Sequence, residues 1–252
     1  MPKIETAQRD GVGRDGEPRP TEDRIAVLPK AVLLLDGATA TGLRGMSVTE
    51  YVDALLQMLA RQVAKRPSAD LATLLAATIG ALATKHGLLP GESPSSTVAM
   101  LRWQPSTVDV LVLGDSPVVI FTPDGRLEVA DTRLAVLRRA GKLGDTAAVD
   151  RLRNVDGGFW VAEADPGAAA HALRGSWPMP EVMAAILASD GVSVGVDDYR
   201  LFDWERLLEL STTDGPEAVL DAVRTIERTD PDRIRWPRPK LHDDQSLAVV
   251  HF

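Results

Sequence analysis

The chain has 252 residues, 44% of them hydrophobic and 25% charged, with no cysteine and a formal net charge of −8. That length and composition suit a globular protein with a large core, and the acidic balance excludes the broad basic surface that holds nucleic acid. Without cysteine there is no disulfide, no thiolate metal ligand and no cysteine nucleophile, so any metal must bind oxygen or imidazole.

Residues 1–20 are polar and rich in Gly, Pro and charge, with no apolar stretch of the kind a secretory signal needs. They are expected to form a flexible segment ahead of one domain at 21–252, in a cytoplasmic protein. Arg24 to Leu28 and Ala31 to Leu35 are short β-rich runs broken by Pro29-Lys30, which predicts a hairpin. From Ser47 to Arg66 the residues Val48, Tyr51, Val52, Leu55, Leu56, Leu59 and Val63 recur at helical spacing. A second helix is predicted from Ser68 to His86. Its apolar stretch, Leu71 to Thr84, is shorter than the roughly 20 residues a membrane-crossing helix needs, so it reads as a buried helix and no membrane partner is expected.

Strand-like runs then crowd together at Thr97 to Arg102, Thr107 to Leu113, Val118 to Phe121 and Leu127 to Val129, separated by turn residues. A parallel crossover needs a dozen or more residues, so these strands must pair antiparallel. Thr132 to Arg153 reads as helical, Phe159 to Ala162 as extended, Pro166 to Leu173 as a short helix and Val182 to Ala188 as an apolar strand. Helices follow at Asp203 to Leu210 and Pro216 to Arg228. A Pro- and Arg-rich loop, Asp230 to Lys240, then leads to a last strand at Ser246 to Phe252. The order predicts an α+β fold in which antiparallel sheets pack together under helices.

Acidic residues recur where these strands begin and end: Glu22-Asp23, Asp36-Gly37, Asp190-Gly191 and Asp243-Asp244, with Asp115 in a turn between two more strands. Any one of them is ordinary turn chemistry. Together, each against an apolar strand, they would repel one another unless a cation neutralised them, and clustered carboxylates bind hard divalent ions such as Mg²⁺ or Mn²⁺.

The ordered set Thr21-Glu22-Asp23-Arg24, Leu35-Asp36-Gly37, Ser95-Ser96-Thr97, Leu113-Gly114-Asp115-Ser116, Ala188-Ser189-Asp190-Gly191-Val192 and Asp243-Asp244-Gln245-Ser246-Leu247-Ala248-Val249-Val250 resembles the signature motifs of the metal-dependent protein phosphatases of type 2C, in their bacterial single-domain form. The resemblance implies a β-sandwich of two antiparallel sheets flanked by helix pairs, with two Mg or Mn ions at one end. It implies hydrolysis of phosphoserine and phosphothreonine in proteins by a hydroxide on those ions, with a phosphorylated signalling protein as partner and substrate. Carried over by position, Asp36 would bridge the ions, Glu22 and the Gly37 carbonyl would serve one, and Asp190 and Asp243 the other. These three aspartates would form the catalytic set, Asp115 would contribute with Asp190 to a weaker third ion, and Asp23 and Asp244 would support the ligands from behind.

Two positions depart from that pattern. Where many members continue Asp-Gly with His or Met and then Gly-Gly, this chain reads Asp36-Gly37-Ala38-Thr39-Ala40. The phosphate-binding Arg expected before the acidic pair is assigned to Arg19, with Arg14 and Arg24 as alternatives. The resemblance also places a variable flap at 156–180, where substrate choice is expected. A pseudophosphatase that binds phosphoproteins without turnover is the alternative function. A further rival is a serine hydrolase built on Gly191-Val192-Ser193-Val194-Gly195, with Asp198 or Asp203 and then His242 or His251 following in chain order. His242 beside Asp243 reads as a surface histidine or as a group that tunes the metal site. Trp103, Trp160, Trp177, Trp204 and Trp236 follow no stacking pattern and read as packing residues.

Overall fold

A strand that is apolar at every position needs cover on both faces, and the run Ala31-Val32-Leu33-Leu34-Leu35 is buried throughout in the computed structural model, which describes residues 2–13, 15–38 and 46–252. Arg14 and the pair Thr39-Ala40 lie outside the described residues.

In chain order the elements are β1 (Lys3–Arg9), β2 (Arg24–Leu28), β3 (Ala31–Leu35), β4 (Gly37–Ala38), α1 (Val48–Lys65), α2 (Leu71–His86), β5 (Ser95–Ser96), β6 (Val98–Trp103), β7 (Thr107–Leu113), β8 (Val118–Thr122) and β9 (Gly125–Val129). There follow α3 (Arg133–Arg139), α4 (Thr146–Leu152), a 3-10 turn (Pro166–His171), β10 (Leu173–Pro178), β11 (Ala184–Ala188), α5 (Asp190–Asp197), α6 (Trp204–Asp214), α7 (Pro216–Arg228) and β12 (Gln245–His251).

One five-stranded sheet runs β1-β12-β11-β8-β9 and the other β10-β7-β6-β3-β2, with every pairing antiparallel. Side chains alternate faces along each strand, and the buried clusters follow that alternation. Val32, Leu34, Leu101, Val110 and Val112 meet Val118, Ile120, Ala185, Leu187, Ala248 and Val250 between the sheets. Leu33, Leu35, Met100 and Leu111 face outward onto α1 and α2. Val119, Ile186, Leu247 and Val249 face outward onto α5, α6 and α7 through Val192, Trp204, Leu207, Val219 and Leu220. The layers are therefore helix, sheet, sheet, helix, as the sequence implied. Ser47 caps α1 in a reciprocal box with Glu50, and Asp70 caps α2.

Four sequence expectations change. Residues 3–9, expected to be flexible, form β1 at a sheet edge, in register with β12 from Lys3↔His251 to Arg9↔Gln245. Their polar appearance is that of an edge strand that buries few residues: Ala7 is buried on one face and Ile4 half-buried on the other. The helix expected at 132–153 is two short helices, broken where Gly141 takes a positive φ. Six residues of the expected flap, Leu173–Pro178, are strand β10, paired along β7. The glycines after β11, Gly191 and Gly195, lie within helix α5 and not in a flexible turn.

If β1 is part of the sheet, deleting residues 1–9 strips β12 of seven paired residues. The melting temperature should then fall by at least about 5 °C, given roughly 2–4 °C per kcal/mol for a domain of this size. An unchanged melting temperature would restore the flexible reading.

Candidate active site

Antiparallel pairing brings the acidic turns together. The registers Arg24↔Leu35, Leu34↔Ala99 and Val98↔Leu113 put the start of β2, the end of β3, the start of β6 and the end of β7 at one edge of one sheet. In the other sheet, Ala188↔Leu247 and Leu187↔Val118 align the end of β11 with the starts of β12 and β8. Glu22, Asp23, Asp36 and Asp115 thus leave one sheet where Asp190 and Asp243 leave the other.

Asp244 joins the two ends. Its carboxylate accepts the backbone N–H of Gly11 at 2.7 Å and of Glu22 at 3.1 Å, fixing the Glu22-Asp23 turn to the start of β12. The guanidinium of Arg224, from α7, donates to the Asp243 carbonyl at 3.1 Å. Asp36 is fixed through its backbone, which donates to the Thr97 hydroxyl at 3.2 Å and accepts from Thr97 N–H at 2.9 Å. Two glycines permit the approach. A Cβ on Gly37 would stand 2.9 Å from the Glu22 carbonyl oxygen, and one on Gly191 would collide with the Asp244 carbonyl oxygen. The Gly37 backbone and Glu22, assigned to one ion, are therefore neighbours.

The electrostatics of the group are those of acids short of positive charge. Burial, then the charges of Asp23, Asp190, Asp243 and Asp115, hold Asp36 well above the usual carboxylate range. Burial, then Asp243, Asp115 and Asp23, do the same to Asp190, with Arg138 opposing. Asp115 is raised mainly by burial, against the pull of Arg138. Asp23 is fully buried, and neither carboxylate oxygen has a hydrogen-bond partner of ordinary geometry. Burial pushes it to about 7, only partly offset by Asp36 and by the Ser189 and Ser246 hydroxyls beside it.

Cations reach two of these carboxylates directly. Lys240 Nζ lies 2.5 Å from Asp243 Oδ1 and Arg19 Nη2 lies 3.6 Å from Glu22 Oε2. Among the described residues, no three Asp, Glu or His side chains are gathered tightly enough, as placed, to hold one ion. The chemistry of the set nevertheless suits a hard divalent cation: the donors are carboxylates, they repel one another, and Asp23 holds two unpartnered buried oxygens.

Several further residues stand differently from their sequence reading. Arg24 is committed elsewhere, to Asp53 at 2.6 Å and to the Thr21 and Asp23 carbonyls. His242 is not a surface histidine: Nδ1 lies 2.7 Å from Glu227 Oε2, and burial lowers its pKa. Ser193 is buried in the first turn of α5, and His251 ends β12, about 20 Å from the Gln245 end at roughly 3.4 Å per residue. No hydrogen bond joins Ser193 to a histidine among the described residues, so the hydrolase constellation does not form.

A cavity of about 270 Å³ opens beside Asp115, Asp190 and Asp243, walled by Asp131, Arg138 and the loop at 237–239. None of residues 156–180 lines it. Asp131, Arg138 and Lys240 were missed in the sequence; the signal for Lys240 was its place three residues before Asp243.

Protein phosphatase 2C is the family whose sequence pattern matches residues 14–223 of the chain. A comparison with curated proteins returned no match. Among solved structures, the fold resembles the catalytic domain of the serine/threonine phosphatase PstP in complex with two manganese ions (17% identity, 99% of this chain and 97% of that chain, TM-score 0.59). It also resembles the Mycobacterium tuberculosis phosphatase PstP/Ppp (14%, 100% and 98%, 0.61) and Stp1 from Staphylococcus aureus (14%, 100% and 95%, 0.61). At these identities the likeness is one of fold.

A carboxyl with a raised folded pKa keeps its proton in the folded state after the unfolded chain has lost it, so stability falls as pH rises between the two values. For Asp23 that window runs from the ordinary 3.8 to about 7. In EDTA, urea unfolding should show stability falling from pH 5 to pH 7. Asp23→Asn should shallow the fall by up to about 1.4 kcal/mol per pH unit. Equal slopes would mean that Asp23 ionises freely in the fold.

Proposed function

Because the chain belongs to the protein phosphatase 2C family, we propose that it hydrolyses phosphoserine and phosphothreonine in proteins with the help of two Mg or Mn ions. One observation carries the reading: acids from the turns of both sheets meet at one end of the sandwich, with more negative charge than the described side chains neutralise. Asp36 would bridge the ions, Glu22 and the Gly37 carbonyl would hold one, Asp190 and Asp243 the other, and Asp115 with Asp190 a weaker third. Such ions, when bound, acidify water and neutralise the phosphoryl oxygens.

The rest falls to the chain's own residues. Asp244 holds the Glu22 and Asp243 turns in register. Asp23, buried behind Asp36, supplies acceptors for ordered water. Arg19, beside Glu22 at the edge of the acidic group, would meet the phosphate. Ala38 can donate no proton to a departing serine or threonine oxygen. Asp115, Asp190 and Asp243 face the cavity in which a phosphorylated side chain would sit.

The test is hydrolysis of a phosphothreonine peptide, with EDTA abolishing turnover and Mn²⁺ or Mg²⁺ restoring it. Asp243→Asn should remove nearly all activity. Asp244→Asn, which leaves one acceptor for the two N–H groups, should cost about 10- to 100-fold. Activity that survives EDTA contradicts the reading, and metal-tight protein with no turnover on any phosphopeptide would make the chain a pseudophosphatase.

A further inference from the structure

We propose that Lys240, ion-paired with Asp243, is a phosphate-binding residue of this site that leaves Asp243 for the substrate phosphoryl group when metal binds; the proposal rests on the two-ion reading above. The ammonium touches Asp243 Oδ1 at 2.5 Å, and the Lys240 side chain is only 13% exposed. Asp243 is its ion-pair partner among the described residues. Burial alone would discourage a charged lysine, but the Asp243 and Asp244 charges outweigh it and raise its pKa.

The surrounding backbone is fixed. Asp230 accepts the N–H groups of Ile234, Arg235 and Trp236, and the Arg238 guanidinium donates to Asp230 and to the Trp236, Glu227 and Leu241 carbonyls. The Lys240 ammonium is carried from this backbone on a flexible four-carbon stem. Arg19 is close enough to oppose Lys240 electrostatically while it sits beside Glu22. Two cations therefore rest on Glu22 and Asp243, the carboxylates assigned to different ions.

A metal on Asp243 would set two cations on one carboxylate, and their repulsion would loosen Lys240. A phosphoryl group arriving at the same point offers the ammonium a stronger partner, since a charge-assisted bond to phosphate suits a compact three-donor head. Arg24 is tied to Asp53, and Ala38 has no donor. Lys65, exposed in the last turn of α1 and far from the acidic turns, serves as a control.

The experiment measures calorimetric binding of Mn²⁺, and then of inorganic phosphate to the Mn²⁺-loaded protein, for wild type, Lys240→Met, Lys240→Arg and Lys65→Met. Lys240→Met should bind Mn²⁺ about 10-fold tighter, as expected for loss of a competing partner beside a ligand. It should bind phosphate roughly 10- to 100-fold more weakly, the scale of one charged hydrogen bond. Lys240→Arg should restore most of the phosphate affinity, and Lys65→Met should change both affinities little. Phosphate affinity unchanged in Lys240→Met would leave Lys240 a mere counter-ion and overturn the proposal, as would unchanged Mn²⁺ affinity. Wild-type protein that binds no Mn²⁺ would instead overturn the two-ion reading itself.

Discussion

Repulsion among Asp23, Asp36, Asp115, Asp190 and Asp243 is the constraint on which the active end of this molecule depends. Like charges brought together away from bulk water raise one another's pKa, and the largest cause at four of these acids is burial itself. Two responses accompany it: the pKa values of Asp23, Asp36 and Asp190 are raised, and side-chain cations rest on Glu22 and Asp243. Both suit the divalent ions proposed for this site.

The fold makes that repulsion unavoidable. Ten main strands pair antiparallel in two sheets, so their turns must fall at one end or the other, and the buried clusters on both faces of each sheet lock the registers. Asp244 then crosses from one sheet to the other, and Gly191 lets the first turn of α5 lie on the backbone of β12. A chain that satisfied Asp23 with ordinary donors would be more stable without metal and less ready to bind it. Stability is lowered where the chemistry is proposed to occur, and the core elsewhere carries that cost.

Much of this was legible in the residues. The uniform apolar run at β3 announced a strand covered on both faces, and the short spacings from Thr97 to Val129 left room for antiparallel pairing alone. The acidic turns were legible as a set because each interrupts an apolar strand. What stayed hidden was non-local. β1 looked like a polar tail, since an edge strand buries few of its residues. The Gly191 to Gly195 pattern looked like a nucleophile elbow or a loose turn, whereas its glycines answer close packing against Asp244, Val223 and Phe202. Lys240 had no signal except proximity in sequence, because its meaning depends on a loop pinned by Asp230 and Arg238.

The central claim is that these carboxylates form one two-ion centre. Anomalous diffraction at the manganese edge, from crystals grown in Mn²⁺, tests it most directly. The account predicts two strong peaks, both touching Asp36, one also against Glu22 and the Gly37 carbonyl and the other against Asp190 and Asp243. Well-diffracting crystals with no peak at Asp36, or with manganese bound only at surface acids, would contradict it.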